Sequence, residues 1–135
     1  MSVRHLVAVA LLSIVVPASA ALAHPKLVSA SPTANSTVPQ GPAMISATFN
    51  EALTSALSKL TLIDAAQRAI PLDSVRTADD DPKTITARVA ATLKPGRYTV
   101  KWQAAGADGH PMRGEFTFLV ASPAGGGERV ERLVR

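Results

Sequence analysis

The chain holds three histidines and no cysteine, so its metal or proton chemistry rests on very few side chains. One of them, His5, lies in a segment that reads as a secretory leader. Arg4 and His5 are followed by an apolar run, Leu6 to Val16, interrupted only by Ser13; then come Pro17 and small residues up to Ala21-Leu22-Ala23. That is the basic, apolar and small-residue succession of a cleaved signal, with an A-x-A motif ending at Ala23. The apolar run is well short of the ~20 residues that span a bilayer. Cleavage after Ala23 leaves only His24 and His110, and puts His24 at the new N-terminus. A terminal histidine offers its α-amine and ring Nδ1 to one metal ion in a closed chelate. Pro25 has no backbone N–H, so a metal cannot displace an amide proton there and is left with the amine and the imidazole.

His110 stands in Asp108-Gly109-His110-Pro111. Residues i and i+2 of an extended loop point the same way, and Gly109 allows the backbone to bend both side chains toward one ion. Together with His24 this makes three nitrogens and one carboxylate oxygen. Tetragonal N,O coordination suits Cu(II), which tops the divalent affinity order, whereas zinc favours a tetrahedron. The pattern points to one Cu(II) per chain. Asp-Gly and His-Pro are also ordinary turn dipeptides; the pairing with a terminal histidine gives the motif its weight.

Composition narrows the alternatives. With 47% hydrophobic and 18% charged residues the chain is built to fold. The absence of cysteine excludes disulfides, thiolate metal sites and thiol nucleophiles. A net charge of +4 and few aromatics (Trp102, Tyr98, Phe49, Phe116 and Phe118) speak against nucleic acid as a partner. Two histidines, both assigned, leave none for a Ser-His-Asp triad, and no phosphate-binding glycine loop is present. The expectation is a binding protein, not an enzyme.

The elements that must position these residues are short and alternating. Strands are expected at Lys26 to Ser29, Met44 to Asn50, Leu57 to Asp64, Ala69 to Leu72, Thr84 to Val89, Arg97 to Gln103 and Glu115 to Val120. Pro71 makes the fourth an edge. Met44 is read as a core residue, and Glu51 to Leu57 as the one weak helical candidate. Ser31 to Ser36 and Leu93-Lys94-Pro95-Gly96 are turns, and Ala107 to Gly114 is a polar loop. Seven or so such strands make a β-sandwich of about 100 residues, whose one end can hold both the N-terminus and a late loop. The expected organisation is a leader over 1–23, a β-domain over 24–120 and a flexible tail over 121–135, where Pro123 precedes Gly125-Gly126-Gly127.

These residues resemble a known family. His24-Pro25-Lys26-Leu27 with Ser31-Pro32, Thr48-Phe49-Asn50-Glu51, Leu93-Pro95-Gly96-Tyr98-Val100-Trp102 and Ala107-Asp108-Gly109-His110-Pro111 with Gly114-Phe116-Phe118 look like the CopC family of bacterial periplasmic copper-binding proteins. The resemblance covers residues 24–120. It implies an all-β, Ig-like, seven-stranded Greek-key sandwich or barrel, in a periplasmic protein of copper resistance or uptake. It also implies that His24 (amine and ring), Asp108 and His110 bind Cu(II), with Glu51 close by as a further ligand or as a neighbour of the ligands. A monomer that sequesters copper or passes it to an inner-membrane copper transport protein fits this pattern. The chain departs from members with a methionine-rich Cu(I) site: beyond the leader it has only Met44 and Met112, far apart. Two other classes stay open. A histidine-brace copper oxidase would need an open copper face and a broad substrate surface; a metal-free Ig-like interaction module would make the histidine pair incidental.

Overall fold

The structure is a computed structural model, and it describes residues 24–123. Residues 1–23, expected as a leader, and residues 124–135 of the expected tail lie outside the described residues. Among the described residues, nine strands form two sheets. The first sheet has the order β1-β3-β7-β6, from Leu27–Ser31 (β1), Met44–Phe49 (β3), Thr84–Val89 (β7) and Leu72–Thr77 (β6). The second has the order β2-β9-β8-β4-β5, from Ser36–Val38 (β2), Pro111–Val120 (β9), Gly96–Ala105 (β8), Lys59–Asp64 (β4) and Ala69–Ile70 (β5). All pairings are antiparallel except β2 against β9. The expected all-β sandwich is what forms.

Alternation explains which face each strand buries. In β3, Ile45, Ala47 and Phe49 are buried; in β8, Tyr98 and Val100; in β9, Phe116, Phe118 and Val120. Leu62 and Ile85 complete the centre of the core, and burying a side chain of this size contributes about 1.5–3 kcal/mol. Tyr98 stacks on Phe118 with centroids 5.6 Å apart, and Phe49 meets the Trp102 ring edge-on at 5.0 Å. Tyr98 Oη donates to the Lys94 carbonyl at 2.8 Å, so its polar tip is satisfied.

Several expectations need correction. Met44 is 55% exposed rather than core: the inward parity of β3 belongs to Ile45, Ala47 and Phe49, and Met44 lies outward opposite Arg88. The weak helix over Glu51 to Leu57 is only a single 3-10 turn, Ser55–Leu57. Ala69 to Leu72 is two elements rather than one. β5 ends at Ile70, and β6 begins at Leu72 in the other sheet. Pro71, lacking an N–H, sits where the chain changes sheets, and both segments are sheet edges as expected. The polar loop expected over Ala107 to Gly114 is shorter, because β9 already starts at Pro111 and pairs it with Ala105. β2, which begins at the last residue of the expected turn, and β6 raise the strand count above the expected seven.

Candidate metal centre

One end of the sandwich collects the candidate residues. The chain enters β1 beside the end of β3: Lys26 N–H donates to Asn50 Oδ1 at 2.8 Å, and Asn50 N–H donates to the Lys26 carbonyl at 3.1 Å. Leu27 then pairs with Phe49. Pro25 is fully buried and His24 is exposed, so the proline anchors the chain where it enters β1 and His24 is left at the surface.

Glu51 follows β3 directly and leans on the start of the late loop. Gly106 faces it so closely that a Cβ there would stand 2.9 Å from Glu51 Cδ. The Glu51 Oε1 atom is buried without a hydrogen-bond partner. Thr54 fastens the same segment to that loop: its N–H donates to the Ala105 carbonyl at 2.7 Å and its Oγ1 to the Gly106 carbonyl at 3.0 Å. Ser58 adds a bridge, donating to the Thr54 carbonyl at 2.9 Å and accepting from Ala105 N–H at 3.3 Å.

The loop itself is a tight turn. Gly109 N–H donates to the Gly106 carbonyl at 3.1 Å, and Gly109 has a left-handed φ of 74°, where a side chain would be strained. The turn folds His110 back onto Asp108. His110 N–H donates to Asp108 Oδ1 at 3.1 Å, and His110 Nδ1 lies 3.3 Å from Asp108 Oδ2. The Asp108 side chain is 19% exposed and that of His110 is 74% exposed. The His110 backbone N–H holds the Asp108 carboxyl below the usual carboxylate range, against some opposition from burial; the His110 ring and the charge of His24 act in the same direction.

The structure therefore brings Asp108 and His110 into contact, sets His24 within electrostatic reach of Asp108, and lays Glu51 against Gly106 at the root of the turn. It does not bring all four together: among the described residues no three His, Cys, Asp or Glu side chains converge as a preformed metal cage. Asn50, Gly106 and Thr54 position the site without having been singled out by the sequence. A glycine closing a strand ahead of a polar turn, and an asparagine ending a strand, were the signals available.

A small β-sandwich with a histidine–carboxylate end, built from the first strand and the last turn, is the class these features define. The sequence profile of the CopC domain matches residues 27–121. Protein YobA of Escherichia coli is 32% identical over 119 residues, covering 88% of this chain and 94% of that one. Copper resistance protein C of Pseudomonas syringae pv. tomato is 35% identical, covering 74% of this chain and 82% of its own length. Among solved structures, the methionine-rich copper resistance protein PcoC of Escherichia coli superposes with a TM-score of 0.66 at 33% identity, covering 73% of this chain and 99% of that one. CopC from Methylosinus trichosporium gives 0.65 at 27%, covering 73% and 94%. The chain belongs to the CopC family.

Proposed function

We propose that this chain is a periplasmic Cu(II)-binding protein of copper resistance or homeostasis, which sequesters or delivers one cupric ion. The contact between Asp108 and His110, at the end of the sandwich where the chain enters β1, is the observation that carries this reading. The donors are imidazoles, an amine and carboxylates, a set that suits Cu(II) better than the soft Cu(I) ion, which is selected by thioether and thiolate sulfur. The chain's family, whose members include copper resistance proteins, supports the same cargo. Met44 and Met112 stand in different sheets, so the reading contains no thioether site.

In this proposal residues 1–23 are removed on export, 24–120 form the copper domain, and 121–135 are a tail. Removal of the leader supplies the amine of His24. Amine and ring then close on the ion already met by Asp108 and His110, with Glu51 at hand for a further position. Nothing in the donor set calls for catalysis, and the protein acts as a monomeric binder that can hand its ion to an inner-membrane copper transporter.

The test uses the processed protein and a variant retaining one residue before His24. N-terminal sequencing of the exported form should begin at His24, and its Cu(II) complex should give the EPR signature of mixed nitrogen and oxygen ligation. The extension converts the amine to an amide and should weaken cupric affinity sharply. Equal affinity in the two forms refutes the terminal chelate. Absence of one-to-one binding in the processed form refutes the copper function.

A further inference from the structure

The outer face of the five-stranded sheet gathers cations that the modest overall charge conceals. Because Leu60, Val100 and Phe116 point into the core, Lys59, Arg97, Lys101, Arg113 and Glu115 point outward. The register sets Lys59, Gln103 and Arg113 in one cross-strand row and Thr61, Lys101 and Glu115 in the next. Arg97 follows further along the same face, beside Leu119. All four cations are exposed, and none belongs to an ion pair among the described residues. Lys94 joins Arg97 in a groove of about 540 Å³ at the edge of the face.

The described residues hold ten Lys and Arg against eight Asp and Glu. This face and its edge carry half of those cations and, apart from the Asp64–Arg68 pair in the groove, only Glu115 as an acid. The rest of the domain is acidic on balance, with Asp79-Asp80-Asp81 leading toward β7 in the other sheet. The cations are thus concentrated on one face, while most of the acids lie in the connections between strands.

We propose that this cationic face docks on an anionic phospholipid surface. Its charges are spread over the open side of a sheet, interleaved with Thr61, Thr99 and Thr117, and are not focused in a cleft. A laterally uniform negative surface is met by such a spread without shape complementarity. A protein partner would call for an exposed apolar centre, and the large apolar residues of this face are Ile63, only 8% exposed, and Leu119, 36% exposed. Docked this way, the Gln103–Arg113 row comes to the surface, and the Asp108–His110 turn, joined to it through Ala105 and Pro111, lies close to the membrane plane. The inference goes beyond copper and stands independently of it.

Co-sedimentation tests it, with the protein in the form the cell accumulates and vesicles of phosphatidylcholine alone or with phosphatidylglycerol. Binding should require phosphatidylglycerol and should be released by about 0.5 M salt, where screening is short-ranged. The pairs Arg97→Gln with Lys101→Gln, and Lys59→Gln with Arg113→Gln, should each weaken it roughly 25-fold, about fivefold per charge. The control pair Lys83→Gln with Arg88→Gln makes the same change in net charge on the other sheet and should leave binding largely intact. Thermal melts identify which pairs remain folded, and either face pair suffices. Equal losses in face and control pairs, or binding to phosphatidylcholine alone, overturn the proposal. So does binding to poly-glutamate without binding to vesicles, which would assign the face to an acidic protein.

Discussion

Lys26 and Asn50 clasp one another twice, the Lys26 N–H on Asn50 Oδ1 and the Asn50 N–H on the Lys26 carbonyl. This reciprocal pair fixes where the chain enters β1, and with Pro25 buried beside it, where His24 emerges. The position of His24, the proposed N-terminal ligand, thus depends on a residue at the end of another strand.

Asn50→Ala removes the acceptor for Lys26 N–H. Domain stability should fall by only about 0.5–1.5 kcal/mol, while cupric affinity falls several-fold because the end carrying His24 is no longer held. Chemical denaturation and competition against a copper chelator measure the two separately. A loss in stability with affinity unchanged contradicts this role.

Glu51 presents the opposite balance. Its Oε1 is buried and unpartnered, a cost borne in the metal-free protein. Glu51→Gln should raise the melting temperature of the metal-free form, by an amount corresponding to about 1 kcal/mol, and lower affinity for Cu(II). If the metal-free form becomes less stable, the carboxylate has a structural role instead.

Acid stability follows from two carboxylates outside the candidate donor set: Asp64 at the opposite end of the sandwich, and Asp81 in the loop whose Pro82 and Lys83 carbonyls accept from Leu53 and Phe49. Asp81 accepts from Thr84 Oγ1 at 2.6 Å and from Lys83 N–H at 3.0 Å, and these bonds lower its pKa. Asp64 is lowered chiefly by the backbone N–H of Arg68, with the Arg68 side chain and Ala66 N–H adding to it. A carboxylate whose folded pKa lies below its unfolded value of about 3.9 stabilises the fold fully above that value, and the contribution is lost as pH falls through the folded pKa. The metal-free melting temperature should be insensitive to these groups between pH 7 and about 5 and fall below about 4. Asp64→Asn with Asp81→Asn should flatten that acid limb; an unchanged slope would show that other groups govern it.

Gly114 lies under the indole of Trp102, its partner across β8 and β9, and the indole in turn meets Phe49 edge-on. A Cβ at position 114 would collide with the ring. Gly114→Ala should destabilise by about 1–3 kcal/mol. It should also shift the emission of Trp102, the chain's single tryptophan, as the ring is pushed off Phe49. Unchanged emission would mean that the ring is free to move aside.

Much of the fold was legible because period-two alternation and turn residues are local signals. β7 has the bounds that the sequence predicts, period-two alternation marked β3, β8 and β9 as strands, and Pro71 marked an edge. Met44 misled because alternation defines two faces without saying which is inside; the heavier set of Ile45 and Phe49 decided it. The Pro71 segment misled because one proline can separate strands of different sheets, and pairing partners are non-local.

The identity of the candidate donors, the Asp108–His110 juxtaposition across a flexible glycine and the all-β class were determined by the amino-acid sequence alone, because residue chemistry, i to i+2 proximity and side-chain parity need no distant partner. The tertiary structure alone decided that β1 is clasped to the end of β3, that Glu51 lies against Gly106, and that Lys59, Arg97, Lys101 and Arg113 share a face. Each depends on strand register and sheet order, which arise from packing between residues far apart in the chain.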